Sequence, residues 1–166
     1  MILLYLGHFW NGCSASVNQP DYHCLEAIDG ITSVFNNGWA YNEGSSSWAI
    51  FDLTEKRKMN TIVMKLLVRT RNYISLRFRV NLIVDGQSIN LTGLKVQEDP
   101  SATIDGDGTV TLATLKWDVL HLEFNTVSNV QSIRLDIYRS TDWPPDFIAL
   151  LLHEIIPKFE HRESKF

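Results

Sequence analysis

From Ile74 to Asp85 the chain alternates. Ile74, Leu76, Phe78, Val80, Leu82 and Val84 fall on one side, and Ser75, Arg77, Arg79, Asn81, Ile83 and Asp85 on the other. A period of two is the pattern of a strand with one buried face. Asp85-Gly86 supplies hairpin chemistry, and a second strand is expected over Ile89–Val96. The period stays mostly two from Met59 onward, with further strands expected at Thr109–Leu115, Val119–Phe124, Gln131–Tyr138 and Ile148–Ile155. Upstream, Met1–Trp10 reads as a first strand and Ser47–Leu53 as another. The helical signal is thin: Tyr22–Ile28 suits a single turn, and Phe147–Ile156 is apolar enough to pass for a buried helix. Pro144-Pro145 and Pro157 bracket that segment, which favours a strand. About eight antiparallel strands separated by turn signals predict an all-β sandwich.

The stretch Ala27–Leu53 interrupts the strand pattern with three turn signals, Asp29-Gly30, Asn36-Asn37-Gly38 and Gly44-Ser45-Ser46. It nonetheless carries Trp39 and Tyr41. Aromatic rings in so polar a loop either plug it against the core or face a ligand.

The chain's 166 residues, 45% hydrophobic and 20% charged, are one domain's worth of globular protein able to bury a core, and they exclude disorder as the expectation. The organisation expected is one domain over residues 1–160 and a polar tail over 161–166. A net charge of −4 with no basic run argues against nucleic acid and against a strongly anionic membrane as partner. No apolar span approaches the roughly 20 residues of a transmembrane helix. Cys13 and Cys24 are the two cysteines and flank a polar loop. They suit a disulfide closing that loop, against two buried thiols of a reducing compartment.

Catalytic motifs are missing. There is no His-Glu-x-x-His, no Gly-x-Ser-x-Gly, no phosphate loop and no zinc spacing, so an enzyme is not expected. Asp105-Gly106-Asp107-Gly108 offers paired carboxylates, but two Asp-Gly steps between strands are more simply a tight hairpin. Asn90-Leu91-Thr92 is a glycosylation sequon.

Several motifs stand in a specific order: the run into Asp29-Gly30, the Trp-x-x-x-Asp-Leu of Trp48–Leu53, Asn60–Val63 with Arg69 and Arg71, Phe78-Arg79-Val80 before Asp85-Gly86, Ile133-Arg134-Leu135 and Leu152–Ile155. This order, covering roughly residues 12 to 157, resembles the discoidin-like (coagulation-factor C-type) domain of the galactose-binding-like superfamily. The resemblance implies a jelly-roll sandwich, usually extracellular, that binds glycans, phospholipid head groups or proteins through loops at one end. It also implies a calcium site under the first turn, with Asp29 and Glu154 matching its two carboxylates and Glu26 and Ile31 contributing carbonyls; Ser33 or Asn37 could add a ligand. The bland alternative is that Asp29 caps its turn and Glu154 pairs with a surface cation.

In such a sandwich the loops Ser33–Ser46, Thr70–Tyr73, Gln97–Gly108 and Ser140–Phe147 should gather at one end. Trp39 and Tyr41, Arg71-Asn72-Tyr73 and Asp142-Trp143 then form a kit for sugar: rings to stack on its C–H face, and Arg, Asn and Asp for its hydroxyls. The fucose-binding subgroup's pattern is out of register, so fucose is not implied. The leading expectation is a glycan or glycoprotein ligand, in adhesion or targeting. A membrane-docking domain is the alternative, though Glu43, Glu98, Asp99 and Asp142 in the loops would be repelled by anionic lipid. A protein-interaction domain using the face that carries Arg77 and Arg79 is the other.

Overall fold

The computed structural model describes residues 9–17, 22–31, 38–40, 46–70, 72–144 and 150–159. Its strands are β1 (Trp10–Ala15), β2 (Trp39–Ala40), β3 (Ser46–Val68), β4 (Leu76–Val84), β5 (Gln87–Asn90), β6 (Lys95–Val96), β7 (Thr103–Ile104), β8 (Thr109–Leu112), β9 (Val119–Tyr138) and β10 (Leu150–Phe159). One 3₁₀ turn, Cys24–Ala27, lies between β1 and β2. Among the described residues every strand pairing is antiparallel, and no helix is long and apolar enough to cross a membrane.

Two long strands organise the sandwich. Straight, the 23 residues of β3 would reach about 75 Å, far beyond a domain whose radius of gyration is about 15 Å, so the strand must fold over. The register with β9 shifts repeatedly between Asp52 and Thr61, and Asn129 in β9 takes a positive φ of 59°. These are the marks of bulges that bend a ladder. Before the bend, Ser46–Asp52 pairs with β1 and with Ser132–Tyr138 of β9, which continues onto β4, β8 and β7. After it, Thr61–Lys65 pairs with Val119–Glu123 of β9 and with β10, which carries β2 at its far edge. The two layers of this jelly roll are continuous through the bends. Ala49, Phe51, Phe78, Leu82 and Leu135 on one layer meet Ile62, Met64, Leu120, Leu122 and Ile155 on the other in one buried core.

Several sequence expectations change accordingly. Val119–Phe124 and Gln131–Tyr138 are one strand, because polar Asn125–Asn129 continues the ladder through the bend instead of ending it. Ser47–Leu53 and the Met59 region likewise form one strand. The last strand also runs through Pro157, which pairs opposite Ile62. Proline is tolerated there because β2 covers β10 only at Leu151 and Leu152, leaving that stretch of edge with no described partner strand. The first strand begins at Trp10, and residues 1–8, like the tail 161–166, lie outside the described residues.

The alternating strand and its hairpin turn form as expected, but the second strand expected over Ile89–Val96 is split: β5 pairs with β4 and ends at Asn90, and Lys95–Val96 pairs with β9 instead. Asp85 and Gly86 both take positive φ (51° and 75°), the geometry of a two-residue hairpin turn, and Val84 faces Gln87. Asp105–Gly108 is a tight turn between β7 and β8, closed by Asp105 N–H to the Thr109 carbonyl (2.9 Å) and Gly108 N–H to that of Asp105 (3.0 Å).

Candidate functional site

The bends return both ends of each long strand to one end of the sandwich, where the segments 69–75, 113–118 and 139–144 meet. Leu115 N–H donates to the Ile74 carbonyl (2.7 Å) and Leu66 N–H to that of Asp118 (2.7 Å). Ser75 donates to both Asp142 carboxylate oxygens, by its N–H (2.8 Å) and its hydroxyl (2.9 Å).

Tyr73 stands on this end with 68% of its surface exposed, and a cleft opens on each side of it. The first, about 400 Å³, is lined by Arg69, Thr70, Asn72, Tyr73, Ile74, Asp142 and Pro144. The second, about 280 Å³, shares Thr70, Asn72 and Tyr73 and adds Lys116, Trp117 and Asp118 over a floor of Leu66, Val68 and Leu115. Arg69 is held in place by a hydrogen bond to the Tyr22 hydroxyl (3.2 Å) and lies against that ring.

The structure thus brings Asn72, Tyr73 and Asp142 together and separates the two tryptophans from them in role. Trp143 is 4% exposed, its indole N–H donating to the Ser75 carbonyl (2.7 Å). Trp39 is 1% exposed, its N–H donating to the Val17 carbonyl (2.9 Å). Both indoles are core pieces with satisfied donors. The expectation that they present a stacking face to a ligand is corrected: a large apolar ring that can bury its body and pair its N–H gains more inside than out. Tyr41 and Arg71 lie outside the described residues. Sequence reading missed Lys116-Trp117-Asp118, because Thr109–Leu115 read as one strand, whereas β8 ends at Leu112. An aromatic between charges in a short connection was the available signal. The segment 97–108, expected at this end, lines neither cleft; its Asp107 sits beside Arg79 instead (3.6 Å).

A second polar cluster lies against β10. Cys13 and Cys24 form a disulfide that pins the 3₁₀ turn to β1. Glu154 follows a register shift at His153 and pairs opposite Lys65. The 3₁₀ turn packs over β10, leaving Glu154 4% exposed. One Glu154 oxygen, Oε1, accepts the Gly30 N–H (3.1 Å), while Oε2 is buried with no hydrogen-bond partner among the described residues. Asp29 Oδ1 accepts the Ile31 N–H (2.9 Å), and Glu26 Oε2 the Gly38 N–H (3.3 Å). Gly38 is required here: with φ at +151°, a Cβ would come within 2.5 Å of the Leu152 carbonyl oxygen.

Burial is the main reason the Glu154 carboxyl is pushed up to about 8 from 4.5; the Asp29 carboxylate adds to the rise, against the lowering effects of the Gly30 N–H and Lys65. A buried acidic oxygen without a donor, beside a second carboxylate, is a place that accepts either a proton or a hard cation. Glu154 is buried away from the solvent boundary, and among the described residues no ion pair within 4.0 Å is seen for it. Cys13, His23 and Cys24 also cluster, but the disulfide removes both thiolates as metal ligands.

No protein-family model and no curated protein sequence matches this chain. Solved structures do. A pectin-binding carbohydrate-binding module superposes with a TM-score of 0.62 at 17% identity, covering 95% of this chain and 92% of its own. Chitosan-binding module 1 of a chitosanase/glucanase from Paenibacillus sp. IK-5 gives 0.60 at 14%, over 89% and 93%. The family 32 carbohydrate-binding module of Streptococcus pneumoniae EndoD gives 0.60 at 11%, over 91% and 94%. At these identities the likeness is one of fold, and the fold of this chain is the jelly roll that such carbohydrate-binding modules share.

Proposed function

We propose that the chain is a non-catalytic glycan-binding module, of the discoidin-like branch that its ordered motifs resemble, acting in adhesion or in targeting an attached protein. The observation that carries this reading is Tyr73, an exposed ring held at the loop end of the sandwich beside Arg69, Asn72 and Asp142. A ring to stack on, with a guanidinium, an amide and a carboxylate around it, is what a sugar's C–H face and hydroxyls require. The fold likeness to modules described as binding pectin and chitosan supports the same reading.

A calcium ion belongs to this reading as a structural element. Asp29 and Glu154 would supply its carboxylates, and Glu26 and Ile31 its carbonyls. The unpartnered Glu154 Oε2 is the reason to place it there. Bound calcium would neutralise the buried acid pair and hold the 3₁₀ turn against β10. The disulfide supports an oxidising, extracellular setting.

Membrane docking has less behind it. The large apolar or aromatic side chains exposed among the described residues, Leu25, Tyr73, Ile89 and Ile104, lie on separate segments of the chain. A glycan array probed with the protein and with Tyr73→Ala, alongside sedimentation with phosphatidylserine vesicles, tests the proposal. Glycan signals lost in the variant support it. Vesicle binding with a blank array would replace it.

A further inference from the structure

Tyr73 is a wall shared by two clefts, and that arrangement speaks to the size of the ligand. Thr70, Asn72 and Tyr73 line both. Beyond them each cleft has its own polar set: Arg69 and Asp142 on one side, Lys116 and Asp118 on the other, the second with half-buried Trp117 as an additional ring. The volumes, about 400 and 280 Å³, sit at or below the small end of ligand pockets, about 300 Å³ upward, so neither cleft alone encloses an oligomer. Each still holds the combination of ring, cation and carboxylate that a sugar residue needs.

The spacing between the clefts is fixed by the fold. Leu115 N–H to the Ile74 carbonyl ties the loop of the second cleft to the strand entry behind Tyr73, and Leu66 N–H to the Asp118 carbonyl ties the same loop to β3. On the other side Asp142 is clamped by Ser75. Two sites held at a set separation bind a linked ligand better than its parts, because the second contact is then intramolecular and little ordering remains to be done.

We propose that the ligand is an oligosaccharide chain straddling Tyr73, with one sugar residue in the Arg69–Asp142 cleft and the next in the Lys116–Asp118 cleft, so that the unit recognised is at least a disaccharide. This rests on the glycan-binding reading and goes beyond it by naming ligand length and the second subsite.

The test is calorimetric titration of the intact chain with matched mono-, di- and trisaccharides of galactose, galacturonic acid, glucosamine and mannose. The expected result, for whichever sugar binds, is a gain of at least about tenfold from mono- to disaccharide and little more from di- to trisaccharide. Arg69→Ala and Lys116→Ala, each checked for an unchanged melting temperature, should both weaken the disaccharide, while only one of them weakens the monosaccharide. Equal affinity for mono- and disaccharide, or both variants weakening the monosaccharide alike, would overturn the two-subsite inference and leave glycan binding standing. A folded protein that binds none of these sugars and is blank on the array would overturn both.

Discussion

The loop end around Tyr73 and the turn cluster against β10 are built from the same residue types, aromatics, carboxylates and small turn residues, yet they are put to opposite use. At the turn cluster Trp39 is buried with its N–H paired, and Glu154 is buried with one oxygen unpaired. At the loop end Tyr73 is out in solvent, and the Asp142 oxygens are both engaged by Ser75. An aromatic ring serves the core in one place and faces outward in the other; a carboxylate is satisfied by protein in one and left wanting a proton or cation in the other. Residue type alone does not assign a role. Burial combined with hydrogen-bond accounting does, because an unpaired polar atom is costly only where water is excluded.

The contrast is broken most forcefully by truncating the rings. Trp39→Ala should cost about 3–5 kcal/mol of stability in urea unfolding, as buried aromatic truncations do, and Trp143→Ala at the loop end should behave like Trp39 and unlike its neighbour Tyr73. Removing the disulfide with Cys13→Ala and Cys24→Ala together should cost about 3 kcal/mol on the loop-closure estimate for its separation of 11 residues, read as a lower denaturant midpoint.

Calcium should act only on the turn cluster. At a hundredfold excess over its dissociation constant it should stabilise the chain by about 2.7 kcal/mol, with a chelator reversing the rise in Tm, and Asp29→Asn should abolish the response. A Tm indifferent to both calcium and chelator would remove the ion from the proposal.

The same cluster sets a pH dependence in the calcium-free protein. The folded state holds the Glu154 proton more tightly than the unfolded chain does, so this stabilisation is complete below about 4.5 and is lost as pH rises through about 8. Thermal scans across that window should show stability falling with pH, and Glu154→Gln should flatten the fall. Calcium competes with the proton, so its affinity should climb over the same range.

The smallest effect on stability is expected at the loop end. Tyr73→Ala should shift unfolding by less than about 0.5 kcal/mol, because an exposed ring leaves no cavity, while abolishing glycan binding. Loss of stability comparable to Trp39→Ala would make Tyr73 another plug.

Local signals in the sequence carried the all-β class, the alternating strand at Leu76–Val84 and the hairpin turn at Asp85-Gly86; they favoured the Cys13–Cys24 pairing, and the family resemblance implied the meeting of the Asp29 turn with Glu154. Each of these is carried by local periodicity, turn chemistry, a count of two cysteines or a match to ordered motifs. Tertiary structure decided the rest. That β3 and β9 are single strands folded through bulges follows from the need to pack long strands into a small core, and no local pattern states it. Which of the aromatics at Trp39, Tyr73, Trp117 and Trp143 faces solvent depends on whether a carbonyl such as those of Val17 or Ser75 lies within reach of the ring's donor. Those carbonyls belong to segments 22 and 68 residues away along the chain, so only the folded arrangement brings donor and acceptor together for Trp39 and Trp143, while Tyr73 stays in solvent.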